Sequence, residues 1–169
     1  MQRYLKLVCH HFKQFMKRHL AKLMSLLVTI SFCFVGCKKN QPTLNVILYD
    51  KPLSKIQSYI QGTWRLQYEK GGICSICVNN FANKNYFTQF GLNNKIKQTF
   101  DNNIITDTTI DWEKSWAYYI NIDSTYNMNF YDKRGYPYNY VVDGIFNDTL
   151  KLHDNYSVDA VYYYFTKVN

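Results

Sequence analysis

The chain has 169 residues with 16 Tyr, 11 Phe and 3 Trp, which suits one domain built around a single aromatic-rich core. The formal charge of +8 is uneven: six of the 20 Lys and Arg (Arg3, Lys6, Lys13, Lys17, Arg18, Lys22) fall in residues 1–36, which hold no acid, and the 14 basic and 12 acidic residues that remain leave only +2. Those lysines are scattered among acids, so the clustered basic face of a nucleic-acid-binding protein is excluded.

The first element is the apolar run from Leu23 to Gly36, 14 residues behind the basic segment KRHLAK. A membrane-spanning helix needs roughly 20 residues, whereas the core of a secretory signal needs about 7–15. Its end, FVGC, resembles the lipobox of bacterial lipoproteins. Gly36 and Cys37 match that pattern; Phe34 stands where the family usually has Leu, and Val35 where it often has Ala or Ser. The resemblance implies cleavage before Cys37, a diacylglycerol on its thiol and a further acyl chain on its amine. One chain holds only marginally at about 0.8 kcal/mol per buried methylene, so several chains make a stable anchor. Residues 1–36 are thus expected to be a signal peptide, with Met16 as a possible true start. Residues 37–51 are expected to be a lipidated tether, and 52–169 the folded domain. Surface-exported lipoproteins of the Bacteroidetes type carry acids just after the lipidated cysteine. Lys38 and Lys39 stand there instead, which implies an outer-membrane protein facing the periplasm.

Beyond the tether, in which NVILY could pair briefly as an edge strand, Leu53, Ile56, Tyr59 and Ile60 share one helical face before Gly62, so a short helix is predicted over 52–60. In GTWRLQYEK, Trp64, Leu66 and Tyr68 alternate with polar residues, the pattern of a half-buried strand. A loop over 71–84 follows. Strands are predicted over 85–92, 95–100, 104–112, 115–123, 125–132, 137–147, 149–154 and 160–168, with turns at Asn93-Asn94, Asp101-Asn102-Asn103, Lys133-Arg134-Gly135 and Asp148. Helix formers are scarce and Thr, Tyr, Phe, Ile and Val plentiful, so the class is mostly β. Short turns between successive runs imply antiparallel neighbours.

Gly62-Thr63-Trp64, just after a helix and with about eight strands behind it, resembles the G-x-W signature of lipocalins. The closing pattern DTLKLHD…VYYYFTKV and the loop GGICSIC are similar to small lipocalin-like lipoproteins of the Bacteroidetes. The resemblance implies an eight-stranded antiparallel up-and-down barrel over 52–169, closed at one end by Trp64. A basic residue of the last strand packs over that ring; Lys167 stands there, where the family usually has Arg. A β-sandwich is the alternative. A barrel also removes sheet edges, which these strands do little to protect, and eight strands leave room for side chains or one small ligand.

Candidate chemistry is sparse. Cys74 and Cys77 are left as a pair in an oxidising compartment and can form a small disulfide, stay as thiols, or act as a dithiol. A metal site lacks ligands, because His153 is the one histidine after residue 36. His153 beside Asp154 reads as a His-Asp pair or as an exposed turn residue. Asp107, Asp111 and Glu113 share a strand face and read as solvated. No G-x-S-x-G, H-E-x-x-H, phosphate-cradling loop or EF-hand spacing occurs. No catalytic residue and no cofactor is therefore expected. The tyrosines are the remaining lead. Tyr118, Tyr138, Tyr140 and Tyr163 are candidates to line a ligand cavity, the alternative being a filled core. Three functions follow: a membrane-anchored module binding a small apolar or amphipathic ligand, a structural or interaction lipoprotein of the envelope, or a dithiol enzyme through Cys74 and Cys77.

Overall fold

A computed structural model describes residues 43–118, 122–155 and 159–168, with only the backbone at Ile122 and Asp123. The expected signal peptide, the Met16 start and Cys37 lie outside the described residues. The compact unit begins at Thr43, within the segment read as tether. Leu48 there is fully buried, and its N–H donates to the Asp143 carbonyl.

The protein is mostly β, an antiparallel sheet of 11 strands curled into a half-barrel, with one short helix among the described residues. In chain order the elements are β1 (Val46–Ile47), α1 (Leu53–Ile60), β2 (Gly62–Gly71), β3 (Cys74–Asn80), β4 (Tyr86–Phe90), β5 (Lys95–Phe100), β6 (Asn103–Thr109), β7 (Asp111–Ala117), β8 (Ile122–Tyr131), β9 (Pro137–Phe146), β10 (Thr149–Asp154) and β11 (Val161–Lys167). Neighbours follow the order β6-β5-β4-β2-β11-β10-β9-β8-β7; β1 adds to β9 and β3 to β2. The two ends of this path, β6 and β7, are separated in the chain by Ile110 alone, whose N–H leaves the ladder to donate to the Asn94 carbonyl. β3 and β4 both pair with β2, β4 along Gly62–Arg65 and β3 along Tyr68–Gly71.

The asparagines explain the tight connections. Asn93-Asn94 (φ 55° and 62°), Asp101-Asn102 (46° and 67°) and Asn147-Asp148 (48° and 60°) place two successive residues in the left-handed region. That is the type I′ geometry whose twist matches hairpin strands, and Asn and Asp tolerate it best after glycine.

The inward faces of β2, β4, β5 and β8–β11 join α1 in one apolar cluster that includes Ile56, Ile60, Trp64, Leu66, Met128, Leu150 and Phe165. Several predicted boundaries differ from the structure. The predicted strand 104–112 is divided at Ile110 between β6 and β7, and the predicted strand 115–123 is split between β7, which ends at Ala117, and β8, which begins at Ile122 and runs through the predicted break at Ser124. The loop over 71–84 contains β3, whose seven residues are all exposed and so carry no period-two signal. The predicted break at Glu113-Lys114 is absent: β7 runs through both, because these exposed side chains leave the backbone ladder to β8 intact.

Candidate functional site

One end of the half-barrel is plugged. Trp64 is buried at 1 % exposure, its Nε1–H donates to the Ile60 carbonyl at 2.6 Å, and Lys167 Nζ lies 5.4 Å from the ring centroid. Gly62 sits beneath that lysine at φ 120°; a Cβ there would come 3.3 Å from Lys167 Cε. A groove of about 150 Å³ lies beside this end, between α1 and the Asn93-Asn94 turn. It gathers amides but no carboxylate.

The interior above Trp64 is packed. Among Leu66, Thr88, Ile96, Met128, Tyr140, Phe165 and their neighbours the remaining void is about 20 Å³, room for about one water. At its wall, Thr106 Oγ1 donates to Oε1 of its strand neighbour Gln98 at 2.9 Å, so both of these buried polar groups are partnered.

The opposite end is open. A pocket of about 510 Å³ is walled by Phe81, Tyr86, Phe100 and Tyr138, by Ile104 and Ile105 of β6, and by Lys133 and Arg134 of the β8–β9 turn. Each wall has a local cause. The Lys133 N–H donates to the Ile105 carbonyl at 3.0 Å and ties the turn to β6. Asp132, itself buried, organises that turn: Oδ1 accepts the N–H groups of Arg134 and Tyr136, and Oδ2 accepts Arg134 Nε and Nη2 at 3.1 and 3.0 Å. Desolvation pushes its carboxyl up, but the Tyr136 N–H and Arg134 outweigh it and hold the pKa below the usual range. The Tyr86 ring meets Phe81 edge-on at 6.2 Å and Phe100 at 6.0 Å.

Behind this mouth the tyrosines form a connected set. Tyr138 meets Tyr140 at 5.7 Å, and Tyr140 meets Tyr163 at 5.1 Å. The Tyr163 hydroxyl donates to Asp154 Oδ2 at 3.2 Å. Burial pushes Asp154 up to about 6, with the charge of Glu69 adding to it and the Tyr163 hydroxyl and His153 opposing. Burial also raises the phenols of Tyr86, Tyr138, Tyr140 and Tyr163, so all four are neutral, hydrogen-bonding walls at physiological pH.

Of the four predicted cavity tyrosines, Tyr138, Tyr140 and Tyr163 come together here. Tyr118 does not. Asn155 holds the strand end on both sides of Ala117, accepting from the Tyr118 N–H through Oδ1 and donating to the Trp116 carbonyl through Nδ2, and this buries Ala117 and leaves Tyr118 57 % exposed. His153 is also corrected. It is fully buried rather than exposed, and Nδ1 lies 2.5 Å from Oδ1 of Asp143, not of Asp154. Lys151 Nζ takes the other Asp143 oxygen at 3.0 Å, so His153 sits in a buried, charge-paired cluster. Sequence spacing missed it because Asp143 lies 10 residues away on the adjoining strand.

Cys74 and Cys77 are joined in a disulfide at the start of β3. Ladder pairing passes from Lys70–Val78 directly to Gly71–Cys74, so Ser75, Ile76 and Cys77 bulge from the hairpin. Ile73 and Ile76 beside the bridge are 97 % and 83 % exposed. Among the described residues no cluster of three or more His, Cys, Asp or Glu is placed to hold a metal, and no helix is long and apolar enough to cross a membrane. No protein-family model matches the chain, and no curated protein or solved structure is significantly similar to it.

Proposed function

We propose that this is a membrane-anchored, lipocalin-like binding module. It is tethered through Cys37 to the outer membrane, facing the periplasm, and holds a small apolar or amphipathic molecule. The observation that carries the reading is the contrast between a void of about 20 Å³ inside and an aromatic-walled pocket of about 510 Å³ at the open end. The ligand therefore sits at the mouth, against Tyr86 and Tyr138, rather than in the barrel's depth. A pocket of this volume lies within the usual range for small-molecule sites, about 300–1,000 Å³.

Strand parity supports the finer fold. β3 with β4 makes one pass beside β2, and β6 with β7 makes another, bent at Ile110; counted so, the ten strands other than β1 give eight passes. Direction alternates with each pass of a meander, so the first and last run antiparallel only when the count is even. β11 and β2 are antiparallel. The Trp64 plug under Lys167 agrees with the G-x-W resemblance. Catalysis has no assigned group in this reading, and the disulfide of Cys74 and Cys77 serves as a clip.

The test has two arms. Native mass spectrometry of the full chain, purified from its membrane, is expected to retain a small molecule that Tyr138→Ala loses; a chain that retains nothing and binds no small apolar probe refutes the binding role. Intact-mass analysis is expected to find acyl chains on Cys37 and none after Cys37→Ala. A second reading, an interaction lipoprotein with no ligand, is favoured by the exposed Ile73 and Ile76 on their clipped hairpin. It would gain if Ile73→Ser/Ile76→Ser released a membrane partner while probe binding was absent.

A further inference from the structure

We infer that the mouth pocket selects amphipathic anions, with Lys133 as the group that receives the negative head; this rests on the ligand-binding reading above. Eight residues wall the pocket: six apolar or aromatic side chains and two cations, with no carboxylate. The two cations are not equivalent. Arg134 is neutralised by Asp132, through Nε and Nη2 on one carboxylate oxygen, and its guanidinium rests 4.9 Å from the Tyr136 ring centroid. Asp132 is fixed in turn by two backbone N–H groups, so the Arg134 charge is spent within the turn.

Lys133 pairs with no carboxylate among the described residues. Its backbone N–H on the Ile105 carbonyl holds the residue at the rim between β6 and the turn. An ammonium with three donors on a flexible stem, beside an apolar wall, meets a carboxylate, sulfonate or phosphate head whose tail lies on the aromatics. Asp154 does not wall the pocket, and its Oδ2 already takes the Tyr163 hydroxyl. A cationic head would meet Lys133 with repulsion. A neutral head would forgo the charge-assisted bond, which is about twice as strong as a neutral one.

Three probes of one shape test this: 2-naphthoate, 2-naphthalenemethanol and 2-naphthylmethylammonium, titrated by calorimetry into the full chain and into Lys133→Gln. Partition into the supporting bilayer is common to both proteins and cancels in the difference. The expected result is naphthoate binding about fivefold to tenfold tighter than the alcohol, at most 1.4 kcal/mol, with the ammonium weakest. Lys133→Gln should erase that preference and leave the alcohol unchanged, and Lys133→Arg should restore it. The exposed side chain and the retained backbone bond make a folding failure of Lys133→Gln easy to detect by its urea midpoint. If the alcohol or the ammonium binds as tightly as naphthoate in a site that Tyr138→Ala removes, anion selectivity is overturned and the pocket reading stands. If none of the three binds saturably, both fall.

Discussion

Asp154→Asn is expected to stabilise the protein at neutral pH and to flatten its pH response. In the folded state burial raises this carboxyl to about 6 from an ordinary 3.8. A raised carboxylate pKa means that folding favours the proton. The ionised form is penalised fully above the folded value, and the penalty is relieved as pH falls through about 6 toward 3.8. At 1.36 kcal/mol per unit the shift corresponds to about 3 kcal/mol, but Asp154 is only half-buried and water screens it, so about 1–2 kcal/mol is the figure to test. Asparagine keeps an acceptor for the Tyr163 hydroxyl and removes the charge that Glu69 opposes. Urea unfolding of the two proteins at pH 4.5, 5.5, 6.5 and 7.5 isolates the effect. Asp132, with its lowered pKa, pulls the other way in both proteins and cancels in the difference. The Asn variant should gain stability over the parent at pH 7.5, with the gap closing by pH 4.5. A gap that stays constant with pH, or one that opens toward acid, refutes the assignment.

Trp64→Ala should cost about 3–5 kcal/mol by urea midpoint, since it empties the plug between α1 and Lys167 and strands the Ile60 carbonyl; a loss under about 1 kcal/mol would show that the plug carries no packing. In Gly144→Ala the new Cβ would lie 2.4 Å from the Val46 carbonyl oxygen, so β1 should lift from β9 at a cost of about 1–3 kcal/mol, seen as faster hydrogen exchange at the Leu48 N–H. Cys74→Ser/Cys77→Ser opens a loop so short that chain entropy allows at most about 2 kcal/mol, and naphthoate affinity should not change. Asp132→Asn frees the Arg134 charge at the rim, so it should tighten naphthoate and leave the alcohol where it was; equal shifts in both would place Arg134 outside the pocket's field.

Patterns that act along the chain were legible before the structure. Ile56 and Ile60 one turn apart mark the helix, Trp64 and Leu66 mark the first buried face, and paired Asn and Asp mark the turns. Features set by lateral neighbours were not. β3 is held by backbone pairing to the outer half of β2 with every side chain exposed, so no hydrophobic period announces it. The NVILY run suggested a brief edge strand, and β1 is one, but the full burial of Leu48 comes from docking on β9, which the run alone does not show. Asp154 next to His153 suggested a pair, but adjacent residues of a strand point to opposite faces. His153 accordingly turns outward to Asp143, while Asp154 meets Tyr163 on the inner one. The mouth was partly visible: of the candidate rings Tyr138 walls it and Tyr140 and Tyr163 sit behind it, while Lys133 and Arg134 read as turn residues because their place beside Ile105 depends on a strand some 28 residues earlier in the chain.

The division between packed interior and open mouth traces to one irregularity. Phe165 pairs with Leu66, but Tyr164 pairs with Tyr68, so Gln67 is the extra residue of a bulge, and an extra residue reverses which side chains of a strand face inward. Below it Trp64 and Leu66 enter the core. Above it Tyr68 goes outside, stacked on Tyr164 at 4.3 Å, and Glu69 comes close enough for its charge to raise Tyr163 and Asp154. The Gln67 carbonyl released from the ladder accepts the Phe81 N–H at 2.7 Å, which brings Phe81 to the pocket wall. A regular β2 would carry the apolar face straight to the rim, with Tyr68 filling the space that Glu69 and the tyrosine hydroxyls now share. The bulge thus ends the dry core below the rim and brings Phe81 to the aromatic wall of the mouth, while Glu69 and Asp154 stay behind it, so the charged groups at the pocket lining are the cations Lys133 and Arg134 of the β8–β9 turn.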